Sequence, residues 1–157
     1  MFENKEQKEQ RELKEKMERI LLIRRVSRKT TGGNVATYSV LVAVGDMKGG
    51  LGLGIASAGE VPIAIRKATK QAQKRVIRIT LKSTTIPIDL KVKYGASKIL
   101  LRPAPKGTGL KVGSVIRPMM ELAGIKDVSG KIYGSNNKIN LAYAVYKAFR
   151  MFKELTK

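Results

Sequence analysis

Twenty positive charges beyond neutrality have to be carried by a chain of 157 residues, and they are not spread evenly. Within residues 1–19, Glu3, Glu6, Glu9, Glu12, Glu15 and Glu18 balance six cations, leaving 26 Lys and Arg against six acidic residues in 20–157. A compact body with that balance repels itself, and contact with a polyanion relieves the repulsion. Nucleic acid and anionic membrane are the usual polyanions. Membrane fits poorly, because no apolar run approaches about 20 residues and no aromatic belt is present. An apolar share of 43% is enough for a packed core, unlike a disordered basic tail. Two units of roughly 70 residues would each bury only about 60% of their unfolded surface, so such a chain leans on a partner.

Enzymatic chemistry finds little to work with. Cys and His are both absent, which removes Cys/His metal sites, thiol nucleophiles, disulfides and the commonest general base. The acids outside 1–19 are Asp46, Glu60, Asp89, Glu121, Asp127 and Glu154, scattered with no suggestive pair. Glycines at 45–54 resemble a phosphate cradle, yet Gly50 is followed by Leu51 and Gly52, not by the Lys-Ser/Thr of a P-loop. Gly52-Leu53-Gly54-Ile55-Ala56-Ser57 lacks the third glycine of a dinucleotide fingerprint. These glycines serve tight turns and close backbone approach instead. The expectation is a non-enzyme with no cofactor and no metal.

The hydrophobic pattern predicts an α+β protein. Residues 1–19 hold strong helix formers but no apolar stripe beyond Leu13 and Met17, the pattern of a solvated charged extension. The segment is charged throughout, unlike a signal or transit peptide, which places the chain in the cytoplasm or makes it a mature organellar product. Strands are expected over 20–28, 35–44 and 51–56, joined by Gly-containing turns as an antiparallel meander. A helix over 61–79 follows, with Pro62 in its first turn. Val61, Ile65, Ala68, Ala72, Val76 and Ile79 fall within about an 80° arc. Arg66, Lys67, Lys70, Lys74 and Arg78 lie on the opposite side. A second unit starts near Thr84, with strands over 85–93 and 97–103, a Gly-rich loop at 106–109, and a short helix over 114–123. A strand over 125–133, a turn at 134–137 and a last helix capped by Asn140 complete it. That helix presents Leu141, Val145, Ala148, Phe149 and Phe152 on one face. The domain division is therefore 1–19, 20–83 and 84–157.

Three loops, at 28–33, 48–50 and 106–111, combine glycine with cations. Glycine lets backbone N–H groups reach phosphate, and Lys or Arg neutralises it. Aromatic residues make up only 5% of the chain and Trp is absent, so base stacking is a minor mode. The implied target is structured RNA read through shape and phosphate.

Several strings, in order, resemble the bacterial-type ribosomal protein S-five family. They are Val26-Ser27-Arg28, Gly32-Gly33, Leu41-Val42-Ala43-Val44-Gly45-Asp46 and Gly59-Glu60-Val61-Pro62-Ile63-Ala64-Ile65-Arg66-Lys67-Ala68. Arg102-Pro103-Ala104, Gly107-Thr108-Gly109, Glu121-Leu122-Ala123-Gly124-Ile125-Lys126-Asp127-Val128 and Tyr133-Gly134-Ser135-Asn136-Asn137-Lys138-Ile139-Asn140 extend the likeness over about 20–150. The resemblance implies a double-stranded-RNA-binding-like N-terminal domain and a two-layer α/β C-terminal domain. It implies a structural constituent of the small ribosomal subunit, bound to its ribosomal RNA near the decoding region and the messenger entrance and supporting translational fidelity. Ribosomal proteins S-four and S-eight would be neighbours, in the bacterial cytoplasm or in an organellar ribosome. A free double-stranded-RNA-binding assembly or regulatory factor is the alternative reading.

The expected RNA-binding residues are Arg24, Arg25, Arg28, Lys29, Gly32, Gly33 and Asn34 in the first hairpin; Lys48 and Gly49 in the second loop; Lys67, Lys70 and Lys74 on the helix. In the second unit they are Arg102, Lys106, Gly107, Thr108, Gly109, Lys111, Arg117, Tyr133, Gly134, Ser135, Asn136 and Asn137. The chain departs from the family pattern at Ala56-Ser57-Ala58, where Gly-Lys-Ala is usual. Met47 and Ser114 stand in place of glycines, Pro118 enters the first turn of the short helix, and Lys138 replaces a proline.

Overall fold

The protein is described from a computed structural model covering residues 17–156; the reading of 1–16 as a solvated extension lies outside the described residues. Strand β1 (Met17–Thr30) already begins at Met17, three residues before the expected boundary. It pairs antiparallel with β2 (Gly33–Gly45), and β2 with β3 (Gly50–Ala58), giving the expected meander. A bulge between Ile20 and Leu22 shifts the β1–β2 register.

Helix α1 spans Val61–Lys74, five residues shorter than its periodicity suggested. The chain leaves the helix at Arg75, and β4 (Ile77–Arg78) adds a fourth strand by pairing with Gly50 and Leu51. Val76, Ile77 and Ile79 are β-branched and gain more from a sheet edge than from a last helical turn. Ile79 ends up buried in a different core from that of α1.

The face α1 turns to the sheet is made of Ala64, Ala68 and Ala72, packed on Val40, Val42 and Val44. Ile65, expected in the core, is only half-buried at its edge. Small residues are needed because the helix lies almost on the backbone of β3. A Cβ on Gly54 would press on the Ala68 carbonyl oxygen and stand 2.7 Å from the Ala72 nitrogen, while one on Gly52 would press on the Ala72 carbonyl oxygen. The alternate glycines of β3 are the seat of the helix.

The second unit contains β5 (Leu90–Tyr94), β6 (Ser97–Pro103), β7 (Leu110–Lys111), α2 (Ile116–Leu122), β8 (Val128–Gly134) and α3 (Lys138–Leu155). Its sheet order is β5-β6-β8-β7, with β7 parallel to β8. β7 falls at the end of the expected Gly-rich loop, since two residues carry no periodicity. The expected strand 85–93 is cut to Leu90–Tyr94. Thr85 instead closes a tight turn with Lys82, and Pro87 has no N–H for a ladder. The expected strand 125–133 starts only at Val128, because the amides of Lys126 and Asp127 donate to the Thr84 carbonyl oxygen at 2.9 and 3.1 Å. The cap of α3 is Asn137, whose side chain accepts from the Ile139 amide at 3.0 Å, and not Asn140.

The larger core joins both units. It combines Leu41, Ala43, Leu51 and Leu53 of the first sheet, and Ile79 just after β4, with Ile99, Leu101 and Val128 of the second. Met119 and Met120 of α2 and Leu141, Val145, Ala148, Phe149 and Phe152 of α3 lie between them. The Phe149 and Phe152 rings meet edge to face, with centroids 6.3 Å apart. The molecule is thus a four-layer stack: α1, first sheet, α2 and α3, second sheet. β2 is buried on both faces, one against α1 and one against the second unit. Each unit supplies a wall of the other's core, which offsets the marginal burial of a small isolated domain. No helix among the described residues is long and apolar enough to cross a membrane.

Candidate nucleic-acid interface

The most exposed element is the outer half of the first hairpin. β3 reaches β2 only from Tyr38 onward, so residues 26–37 form a two-stranded ribbon beyond the sheet. Thr30 pairs with Gly33 around a Thr31-Gly32 turn, and the Thr30 hydroxyl donates to the Gly33 carbonyl oxygen at 2.7 Å. Side chains alternate across a strand, so Arg24 and Arg28 point to one face and Arg25 and Lys29 to the other. All four are exposed, as are Gly32, Gly33 and Asn34. Val26 and Val35 are 49% and 52% exposed on the same ribbon. A bare two-stranded ribbon is marginal in water, and this one has apolar residues with nothing in the described chain to cover them.

The second cationic surface is the outer face of α1, where Arg66, Lys67, Lys70 and Lys74 are exposed. Its sequence reading as a positive stripe holds up to the shortened end of the helix. Arg78, now in β4, lies away from this face, 3.3 Å from the Asp46 carboxylate.

The two other glycine–cation loops behave differently. Loop 45–50 ties the two units together. The amides of Met47 and Gly49 donate to the carbonyl oxygens of Leu122 and Ala123 at 2.9 and 2.8 Å. Asp46 accepts from the amides of Lys48 and Gly50 at 2.9 and 2.7 Å. The buried Gly49 therefore has a structural task, and its amide is not offered to phosphate; Lys48 sits exposed at the tip.

Loop 106–111 does form an anion cradle, but the anion is internal. The Asp127 carboxylate accepts from Gly107 and Gly109 amides at 3.1 and 2.9 Å and from the Thr84 hydroxyl at 2.6 Å. Asp127 is only 3% exposed. The Thr84 hydroxyl, then the Gly109 amide, hold its carboxyl below its ordinary range against the opposing effect of burial, with further help from Gly107 and Lys106. Gly107 and Gly109 have φ of +92° and +76°, and their geometry presents both amides to Asp127. The exposed Lys106 and Lys111 and the half-buried Thr108 remain at the rim.

Residues 134–137 are likewise committed to the fold. The Ser97 hydroxyl donates to the Ser135 carbonyl oxygen at 2.7 Å, and the Ser135 amide to the Ala96 carbonyl oxygen at 3.0 Å. Asn137 caps α3, while Tyr133, Gly134 and Asn136 are exposed. Arg117 pairs with Glu121 at 3.3 Å, an exposed helix pair worth little in stability.

The profile of the N-terminal domain of ribosomal protein S5 matches residues 17–80, and that of its C-terminal domain matches residues 92–156. The chain belongs to the ribosomal protein S5 family. It is accordingly a structural ribosomal protein and not an enzyme. The small ribosomal subunit protein uS5 of Chloroflexus aurantiacus is 45% identical over 130 residues, covering 83% of this chain and 73% of the relative. That of Thermus thermophilus is 44% identical over 135 residues, covering 86% and 83%. That of Campylobacter jejuni is 47% identical over 134 residues, covering 85% and 91%.

Met47, which the resemblance sets at a position expected to be glycine, has a φ of +58°. Here the departure leaves an L-residue in left-handed backbone. The exposed Ser57 lies on β3 opposite Ser39, so the lost lysine would have stood on the sheet's edge region and not in the core. Sequence reasoning overlooked four cations, Lys91, Lys93, Lys98 and Lys131, all exposed on the outer face of the second sheet beside Arg102, Lys111 and Tyr133. The alternation Leu90-Lys91-Val92-Lys93 carried that signal.

Proposed function

We propose that this protein is built into the small ribosomal subunit as an RNA-binding constituent, with its hairpin arm set against ribosomal RNA near the decoding region and the messenger entrance. The observation that carries the reading is the arm itself. It places Arg28 and Lys29 on opposite faces of a ribbon whose Val26 and Val35 have no cover in the described chain, with Arg24 and Arg25 at its base, where β3 begins to pair with β2. Such a ribbon suits insertion between RNA elements: phosphates meet the cations on both faces, and the apolar residues are covered on docking. Family membership supports the subunit and translation. Ribosomal proteins S-four and S-eight are the proposed protein neighbours, and the bacterial cytoplasm the compartment.

Changing the arm separates this reading from an ordinary hairpin. Gly32 has open space around it and belongs to a loop tip that contributes little to the core. Gly32→Pro, or deletion of Thr31 and Gly32, is expected to fold, to sediment with small subunits at low salt, and to give subunits with slowed elongation. Normal assembly together with normal elongation would defeat the proposal. A purified variant that melts far lower and fails to assemble would show the arm to be a folding element only.

A further inference from the structure

The face of the first sheet that carries α1 is only partly covered. α1 sits over β2 and β3, with Ala64, Ala68 and Ala72 on Val40, Val42 and Val44. Residues paired across strands share a face, so Glu18, Ile20 and Ile23, opposite Val44, Val42 and Val40, carry that face onto β1. Ile20 and Ile23 are 45% and 46% exposed there, and a trough runs between β1 and the flank of α1. A hollow of about 260 Å³ at this place is lined by Glu18, Ile65, Arg66, Thr69, Lys70 and Gln73. The Thr69 hydroxyl oxygen is buried and has no hydrogen-bond partner among the described residues, a costly state for a polar group. The trough thus has an apolar floor, a cationic rim and one unsatisfied hydroxyl.

Residues 1–16 lie outside the described residues, and the chain enters the described part at Met17, beside Glu18 at the end of the trough. Written on a helix, Phe2 and Leu13 are separated by a rise of about 16 Å and by only about 20° around the axis. Glu6 and Glu9 fall between them on the same face, at about +40° and −20° from Phe2. A strand rises about 3.3 Å per residue, so Ile23 and Glu18 are also about 16 Å apart. A helix running back over β1, parallel to α1, sets Phe2 near Ile23 and Ile65 and Leu13 near Gln73. Its two central carboxylates then stand opposite Thr69, Arg66 and Lys70, and Lys14 and Lys16 meet Glu18, the one acid of the lining. Residues 14–16 are long enough to link such a helix to a strand.

We infer that the trough between β1 and α1 is the seat of the chain's own residues 2–13, which form a helical strap there. Glu6 and Glu9 accept from the Thr69 hydroxyl and pair with Arg66 and Lys70. So short a helix is marginal alone, and its seat is what stabilises it. At 100° per residue, Arg66 and Lys70 lie above the flank of α1 that faces β1, and Lys67 and Lys74 belong to the other flank. The strap therefore masks Arg66 and Lys70 and leaves Lys67 and Lys74 in the open. The inference does not depend on the RNA-binding reading.

The test uses the full chain. It has no cysteine, so Gln7→Cys takes a single nitroxide label, on the helix side turned away from the trough. The label is expected to broaden the methyl signals of Ile20, Ile23 and Ile65 and to leave that of Ile99, in the second sheet, sharp. Phe2→Ser with Leu13→Ser, and separately Glu6→Lys with Glu9→Lys, should abolish the broadening. Thr69→Val gives a second reading, in which the sign decides. In the full chain its melting temperature should fall, because a hydrogen bond is lost. With Glu6→Ala and Glu9→Ala already present it should rise, because the hydroxyl then has no partner to lose. Sharp Ile20, Ile23 and Ile65 signals, broadening that survives both pairs of substitutions, or a full-chain Thr69→Val that melts higher would overturn the inference. Broadening that passes between molecules, in a mixture of nitroxide-labelled and isotope-labelled protein, would give the trough to a second copy and overturn it as well.

Discussion

Replacing Gly54 by Ala tests whether α1 is seated on bare β3 backbone. The added Cβ would stand 2.7 Å from the Ala72 nitrogen, with the Ala68 carbonyl oxygen closer still. Ordinary carbon contacts begin near 3.5 Å, so the helix must retreat by about 1 Å. Neither obstructing atom belongs to a side chain that could swing away. A gap of that size forfeits about a quarter to a half of each contact's attraction along Ala64, Ala68 and Ala72 against Val40, Val42 and Val44. Overpacking of this kind costs about 1–3 kcal/mol, and a backbone obstruction places it at the upper end. Loss of glycine's freedom in the unfolded chain returns only about 0.4–1 kcal/mol. The expected net destabilisation is about 2 kcal/mol, read from the midpoint of urea unfolding with the slope held in check. Gly52→Ala, which presses on the Ala72 carbonyl oxygen, should behave alike. Since one retreat of the helix relieves both clashes, the double variant should cost less than the sum. Gly32→Ala, with nothing within 4 Å, serves as the control and should change stability by less than about 0.5 kcal/mol. A Gly54→Ala protein as stable as the parent, or a fully additive double variant, would refute the reasoning.

Three further outcomes follow from the same geometry. Ile65→Ala should cost about 1 kcal/mol, because the side chain is only half-buried, whereas Phe149→Ala should cost about 3–5 kcal/mol; thermal melts ranking them the other way would disprove the core assignment. Met47→Gly should raise the unfolding midpoint by up to about 1 kcal/mol of stability, since it relieves an L-residue at φ +58°, and a lowered midpoint would count against it. Asp127→Asn should lower the melting temperature at neutral pH. Because the folded carboxyl sits below its ordinary value of 3.8, the charged form's contribution is present above that value and disappears as pH falls below it. The gap between parent and variant should therefore close in acid, and a gap that is constant or widens there would contradict the cradle.

Sequence alone carried the elements whose cause is local. Alternation and Gly-containing turns gave the three-strand meander, the 3.6-residue period gave the two faces of α1, and Leu141, Val145, Ala148, Phe149 and Phe152 marked the buried face of α3. These patterns are legible because a residue's immediate neighbours along the chain decide them. The arm was legible for the same reason, as paired strands flanking a short turn. What only the tertiary structure decided is where long-range partners fall. Nothing near Gly107 and Gly109 announces that Asp127, some twenty residues on, fills their cradle, so a loop read as a phosphate site is an internal brace. Val76 and Ile79 continue the helical period, yet the open edge of β3 at Gly50 and Leu51 draws Ile77 and Arg78 into a strand. The glycines of loop 45–50 serve the joint between the two units, which exists only when α2 and β2 are brought together. Periodicity records which side of an element is apolar; it does not record which backbone N–H groups another part of the chain has already satisfied.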